Sequence, residues 1–236
     1  MKYKYESNGI QRVHFEQLPS TNDYAKEKRE EGKPLIVTAA RQSKGRGTKG
    51  REFVSGLGGV YLSALRFYEE FPAKQGFKIM ANAAAAVCNT LRYFGLSPVI
   101  KWANDVFVDD KKICGILIEN TFSGAFVHSS VVGIGLNVNG GFEGELKEIA
   151  TSMQERTGKS FSVEQVTEKL IEELLREHDM QEYLSYIGYI GREVLLIFGE
   201  RECRGRLISV DAEGGLLVEL DGEKKRLTSA EVSIRL

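Results

Sequence analysis

The chain is short of the residues that metal sites and disulfide frameworks require. Its three cysteines, Cys88, Cys114 and Cys203, stand far apart with no pair spacing, and its three histidines, His14, His128 and His178, form no cluster. A structural zinc site and a disulfide scaffold are excluded, and the thiols fit small buried hydrophobes in a cytoplasmic protein. No apolar run approaches membrane-spanning length, and residues 1–6 contain no signal core. Charge of one sign is lacking too. The 32 basic and 33 acidic side chains leave a formal net charge of −1, so affinity for an anion must come from a local patch. What is present, 42% hydrophobic and 28% charged residues over 236 positions, suffices for one large domain or for a domain with a small module.

One local patch meets that requirement. Between Arg41 and Arg51 lie five positive charges, three glycines and no acid. Glycine lets backbone approach a ligand closely, and the cations attract phosphate or carboxylate. The patch follows the apolar run 35–40 and reads as a strand entering an anion-holding loop; composition alone leaves a solvated basic loop as the alternative. Two nucleotide motifs nearly fit. Gly45-x-Gly47-x-x-Gly50 has the dinucleotide spacing, but the residues after it (EFVSGLGG) are too glycine-rich for the required helix. Gly45 and Gly50 also have P-loop spacing, yet Arg51-Glu52 stand where the phosphate lysine and magnesium hydroxyl belong. Both fail on context.

Residues 10–18 read as an opening strand closed by Pro19. Ser20 and Asp23 have capping-box spacing for a helix running to about Glu31, before Gly32 and Pro34. Such a helix start also offers hydroxyls and free N–H groups to a ligand. Residues 60–67 suggest a buried strand. Phe77, Met80, Ala81, Ala84, Val87, Cys88, Leu91 and Phe94 mark one face of a helix ended by Gly95 and Pro98. Polar turns at 102–105, 109–111 and 123–124 then favour an antiparallel meander to Asn139, with Trp102 read as core. A helix is expected from about Glu145 to Arg156. Ser162 and Gln165 are spaced to cap another, with Val166, Leu170, Leu174 and His178 on one face and His178 as a terminal cap or dipole partner. From Gly188 the pattern changes to five short strand candidates separated by turns such as Glu213-Gly214-Gly215. These 49 residues suggest a small β-barrel, residues 188–236, docked on a larger domain, residues 1–187.

Five stretches in order carry a family resemblance: Ser20-Thr21-Asn22, residues 42–51, Lys101-Trp102-Ala103-Asn104-Asp105, residues 112–119 (KICGILIE), and residues 133–139 (GIGLNVN). Together with Val232-Ser233-Ile234-Arg235, they resemble the biotin protein ligases. The resemblance implies an α+β fold, a mixed β-sheet flanked by helices, with a C-terminal SH3-like small barrel. It also implies ATP-dependent formation of biotinyl-AMP with release of pyrophosphate, then transfer of biotin to a lysine of a biotin carboxyl carrier domain. By resemblance, Ser20, Thr21, Asn22, Gln42, Arg46, Gly47, Thr48, Lys112 and Gly115 bind biotin. Arg46, Arg51, Lys101, Asn104, Asp105, Asn137 and Arg235 hold the nucleotide, and Arg46 and Lys112 are catalytic. Lys112 rather than Lys111 matches the family pattern before Gly115, and on a strand the two face opposite ways. Mg²⁺ is implied by ATP, but no ligand set is evident beyond Asp105 as a bare candidate.

The chain departs from the family at two places: Ala103 stands where proline is usual, and Thr48 where a second loop arginine is common. Only 19 residues precede Ser20, too few for a helix-turn-helix domain, so neither repressor function nor DNA binding is expected. No membrane partner is expected; the oligomeric state stays open, a homodimer among the options. A lipoate ligase sharing the adenylation step is the nearest alternative, disfavoured by the terminal module and the loop. A nicotinamide-dependent oxidoreductase is disfavoured by the strand after the loop, and a nucleic-acid module by the near-zero net charge.

Overall fold

A computed structural model describes residues 3–7, 9–229 and 232–235, with backbone alone for residues 3–7, Lys49, Ser233 and Arg235. The elements follow in chain order as β1 (Tyr3–Ser7), β2 (Ile10–Phe15), α1 (Thr21–Glu27), β3 (Leu35–Ala39), β4 (Gly59–Pro72) and α2 (Phe77–Tyr93). Then come β5 (Val99–Lys101), β6 (Asp105–Val108), β7 (Lys111–Ser123), β8 (Phe126–Asn137), α3 (Leu146–Ile149), α4 (Met153–Thr157), α5 (Val163–Leu174) and α6 (Met180–Ser185). The last five strands are β9 (Glu193–Phe198), β10 (Arg201–Val210), β11 (Leu216–Leu220), β12 (Glu223–Leu227) and β13 (Ser233–Arg235).

The first eight strands form one mixed sheet in the order β1-β2-β3-β4-β8-β7-β6-β5. Only β2 and β3 pair in parallel, because α1 carries the chain over the sheet between them; all other neighbours are antiparallel. The meander expected after residue 99 is present as β5 to β8. Period-two alternation divides the side chains between two faces. Ile36, Leu62, Ala64, Val132 and Ile134 point toward α2, α5 and α6, whereas Val13, Val37, Leu65 and Val131 gather under α1. Ala83 to Ala86 are at most 1% exposed, so α2 lies close on the sheet. Each fully buried leucine-sized side chain here contributes on the order of 1.5–3 kcal/mol.

Short α1 covers only part of the second face. It packs mainly on β3, β4 and β8 and reaches β7 at Glu119, while Lys112, Gly115 and Ile116 of β7 and Asp105 of β6 line an open cleft beside it. One irregularity matters there. Val106 pairs with Cys114 but Phe107 pairs with Lys112, which leaves Ile113 surplus in β7 as a bulge. Ile113 and Cys114 are both buried in the core as a result, and Lys112 comes to the same side as Gly115.

The single helix expected over residues 145–156 is two. Ser152 caps α4 with a reciprocal capping box to Glu155, and a local cap of this kind ends the preceding turn. The break is then used by β7: Ala150 bridges Lys112, and Thr151 N donates to Lys112 O at 2.9 Å. At the other end of the helical layer, α5 stops at Leu174. Its last carbonyls take a bond from Arg66 at Leu174 O and a 2.9 Å contact from His178 Nε2 at Glu173 O, so His178 does cap the helix.

Glu173 and Glu182, beside His178, give the fold an acid-labile point. Burial raises both carboxyls, but Lys169, Arg176 and His178 around Glu173, and Asn89 and His178 around Glu182, outweigh it and hold both below the ordinary 4.5. A depressed folded value contributes stability that is present above the unfolded value and lost as pH falls through the folded one. Denaturant midpoints of the wild type are therefore expected to fall steeply below about pH 5, and less steeply in Glu173→Gln. Parallel pH curves for the two proteins would refute this.

The C-terminal strands form a separate five-stranded antiparallel sheet, in the order β12-β11-β10-β9-β13. Its core residues Val194, Leu196, Leu207 and Val218 belong to the same apolar cluster as α2 and Trp102, so the module is docked, as its size requires.

Candidate active site

α1 begins where it does because Ser20 Oγ accepts from Asp23 N. The capping box is only half made: the Asp23 carboxylate turns instead to Arg46 and to Lys26, whose Nζ is 2.9 Å away. Thr21 and Asn22, the next two residues, are buried under the loop and over the sheet. Thr21 donates through N and Oγ1 to Gln42 Oε1 at 2.8 and 3.0 Å, and Gln42 Nε2 donates to Ser55 Oγ at 3.0 Å. Ser63 Oγ, from β4, lies 2.8 Å from Thr21 Oγ1 and 2.5 Å from Asn22 Oδ1. Asn22 Nδ2 and Lys26 Nζ each donate to Glu119 at 2.9 Å. Burial raises the Glu119 carboxyl, but Lys26, Asn22 and the Arg46 charge outweigh it and hold it below the usual carboxylate range. The polar end is thus locked before any ligand arrives.

The glycines of the GIGLN stretch make this possible. A Cβ on Gly133 would fall 2.1 Å from Asn22 Oδ1, and one on Gly135 would fall 2.4 Å from the Phe53 ring. Gly133 therefore seats Asn22, and Gly135, with Gly115 opposite it in the β7–β8 ladder, seats Phe53. The basic loop is a hairpin: Gly47 N donates to Arg51 O at 2.7 Å, Phe53 N to Gly45 O at 2.9 Å, and Arg46 bridges Glu52. The hairpin carries Phe53 over the glycine floor.

These elements enclose a cleft of about 770 Å³. Ser20, Thr21, Asn22, Gln42, Arg46, Gly47, Thr48, Arg51, Lys101, Asn104, Asp105, Lys112, Gly115 and Asn137 all line it. The side chain of Arg235, the remaining candidate, lies outside the described residues. Lys112 Nζ stands 2.7 Å from Asp105 Oδ1, an ion pair whose angles fall outside a hydrogen bond's. Lys111 leaves the cleft, and its Nζ donates to Lys147 O at 2.5 Å. Asn104 and Asn137 spend amide protons on Ile116 O and Thr151 O, at 2.9 and 3.0 Å, while Lys101 sits over the Phe107 ring. Arg51 bonds Thr48 through both its hydroxyl and its carbonyl. Sequence reasoning missed Ser63, Ser55, Phe53 and the partnership of Asp23 and Glu119 with Arg46. Ser63, Ser55 and Phe53 stand in no motif that assigns them a role, Asp23 reads in sequence only as part of a helix cap, and Glu119 only as the end of the stretch 112–119.

Residues 14–137 match the model of the Biotin/lipoate A/B protein ligase family. The chain belongs to this family. Residues 189–235 match a second model, the Biotin protein ligase C terminal domain, and take in the five-stranded module. The bifunctional ligase/repressor BirA of Escherichia coli (strain K12) is 31% identical, over 92% of this chain and 72% of that protein. The biotin–[acetyl-CoA-carboxylase] ligase of Paracoccus denitrificans is 28% identical, over 83% of this chain and 88% of its own. A solved biotin protein ligase of Aquifex aeolicus, in complex with biotin and ATP, superposes with a TM-score of 0.74 at 28% identity, over 95% of this chain and 98% of that one. The expected α+β fold with its terminal module is that of the family. No helix among the described residues is long and apolar enough to cross a membrane.

Proposed function

We propose that this protein is a biotin protein ligase, acting in the cytoplasm, with residues 1–187 as its catalytic unit and 188–236 as an appended module. One observation carries the reading: the Thr21–Gln42–Asn22 cluster, the apolar floor under Phe53, and the cations Arg46, Arg51, Lys101 and Lys112 all face a single cleft. A small acid with a hydrogen-bonding head and an apolar body fits the first two, and a nucleotide phosphate the third. The match of the terminal module to biotin ligases favours biotin over lipoate.

In the first step an oxygen of the biotin carboxylate attacks the α-phosphorus of ATP, and the bond to pyrophosphate breaks. Two anions must meet, so fixed cations that stabilise the crowded phosphorus are the main catalytic need. Lys112 and Arg46 supply them. In the second step the unprotonated amine of an acceptor lysine, on a biotin carboxyl carrier domain, attacks the mixed anhydride and AMP leaves. Exclusion of water by the Phe53-bearing hairpin protects the intermediate between steps. Mg²⁺ would enter with ATP, whose phosphates with one or two carboxylates are its usual ligands. Pyrophosphate release with ATP and biotin, against ATP and lipoate, tests the proposal. Release with lipoate alone would overturn it.

Thr48 bears on retention of the adenylate. A charge-assisted bond from an arginine there would contribute on the order of 1.5–3 kcal/mol, or roughly ten- to a hundredfold in escape rate. At matched adenylation rates, Thr48→Arg is expected to label serum albumin with biotin less than the parent does. Equal labelling would mean that Arg51, already in the cleft beside Thr48, holds the adenylate instead.

A further inference from the structure

We propose that Trp102 is a positioning residue for the nucleotide half of the cleft, and that the C-terminal module acts on adenylation through it. The inference rests on the reading above, in which Lys101, Asn104 and Asp105 meet ATP. These three line the cleft, but the two residues between them, Trp102 and Ala103, send their polar groups the other way. The backbone N–H of Trp102 donates to Tyr189 Oη at 2.5 Å, and its indole Nε1 donates to Gly214 O at 3.1 Å. Ala103 O accepts from Tyr183 Oη at 3.1 Å. Tyr189 and Gly214 belong to the module, Tyr183 to α6. The tight β5–β6 connection, with Lys101 paired to Asp105, is therefore gripped from behind by the part of the chain most distant in sequence.

The grip is itself built to hold one carbonyl still. Asp211 Oδ1 accepts from Glu213 N and Gly215 N at 2.9 and 2.8 Å, and Gly214 N donates to Asp211 O at 2.9 Å. Arg226 Nε donates to Asp211 Oδ2 at 2.5 Å and fixes the turn from β12. Gly214 has φ +84°, and a Cβ on it would fall 2.2 Å from the Phe77 ring, so only glycine can bring its carbonyl to the indole here. A continuous set of contacts thus runs from Arg226 and Asp211 through Gly214 and Trp102 to the three cleft residues. It does not touch Thr21, Asn22 or Gln42, which are held by α1, β4 and Glu119.

The geometry therefore separates two kinds of damage. Loosening Trp102 misplaces Lys101, Asn104 and Asp105 and weakens the nucleotide, with biotin's polar pocket intact. The test uses the full chain with Trp102→Phe, which keeps a ring and deletes the indole N–H, and Asp211→Ala, far from the cleft. Tyr189→Phe removes a single hydroxyl and serves where either of the others unfolds. KM for ATP and for biotin in pyrophosphate release are read together with direct binding of a fluorescent ATP analogue. The expected result is a rise of about tenfold in KM and analogue Kd for the nucleotide, with KM for biotin within about twofold. Unchanged nucleotide constants in folded variants, or equal rises for ATP and biotin, would overturn the proposal. A wild type that binds the analogue but releases no pyrophosphate with biotin would instead overturn the ligase reading.

Discussion

Lys112→Ala is expected to lower biotin-dependent pyrophosphate release by about 10²–10³, the cost of losing one preorganised donor, about 2.7–4 kcal/mol in the barrier. Arg46→Ala should do the same. Each side chain reaches the cleft from a different element, Lys112 from a strand and Arg46 from the hairpin loop, and each is paired with an acid: Asp105 for Lys112, Asp23 for Arg46. The reaction gathers negative charge at one phosphorus, so a cation already in place lowers the barrier without reorganising. Lys111→Ala is the matched control. It removes a neighbouring lysine whose Nζ is occupied by Lys147 O, outside the cleft, and should leave the rate within about twofold. The measurement is steady-state kcat with circular dichroism to show that folding persists. A crippled Lys111→Ala beside an active Lys112→Ala would reverse the assignment of the two lysines.

Gly133→Ala should cost biotin affinity about 10²-fold although it adds one methyl group and no charge. That methyl would fall 2.1 Å from Asn22 Oδ1, in backbone that cannot retreat, because β8 is paired on both sides. Asn22 must leave, and with it go the contact to Ser63 and the bond to Glu119. Overpacking of this sort costs about 1–3 kcal/mol in stability as well. The two losses can be parted. Adding Asn22→Ala to Gly133→Ala relieves the clash, so the double variant should regain thermal stability while biotin binding by calorimetry stays weak. Recovery of binding in the double variant would show that Asn22 has no part in the ligand's polar pocket.

How much of this was legible beforehand differed by element. Ser20 announced α1 because a cap is a local interaction, closed within three residues. Long α2 was legible from its repeating apolar face, and the meander from its turns. The site's motifs placed every candidate whose side chain the structure describes on one cleft. What stayed hidden depends on pairs far apart in sequence. Ser63 reads as an ordinary strand serine until β4 is laid under Thr21. Phe53 reads as the tail of a glycine-rich loop until the hairpin carries it over Gly115 and Gly135. The break between α3 and α4 is missed when residues 145–156 are read as one run, although Thr151 and Ser152 are weak helix formers and Ser152 has capping-box spacing to Glu155; the pairing of Ala150 with β7 shows only in the fold. Arg46 is legible as an anion holder, but its resting partner, Asp23, reads in sequence only as part of a cap.

The surplus residue Ile113 has a consequence for how the lysine motif should be understood. In an ordinary strand, residues three apart face opposite ways, so a lysine that shares a face with a glycine should stand two or four positions from it. Here the interval is three, and it works only because two residues oppose one across the ladder. The spacing therefore encodes a kink in the backbone, and the chemistry is indifferent to it. A shortened chain lacking Ile113 would keep Lys112 opposite Phe107 in a regular ladder, losing a buried side chain yet presenting the same amine. Chains with the lysine two positions before the glycine and chains with it three before are, on this view, two solutions to a single geometric problem.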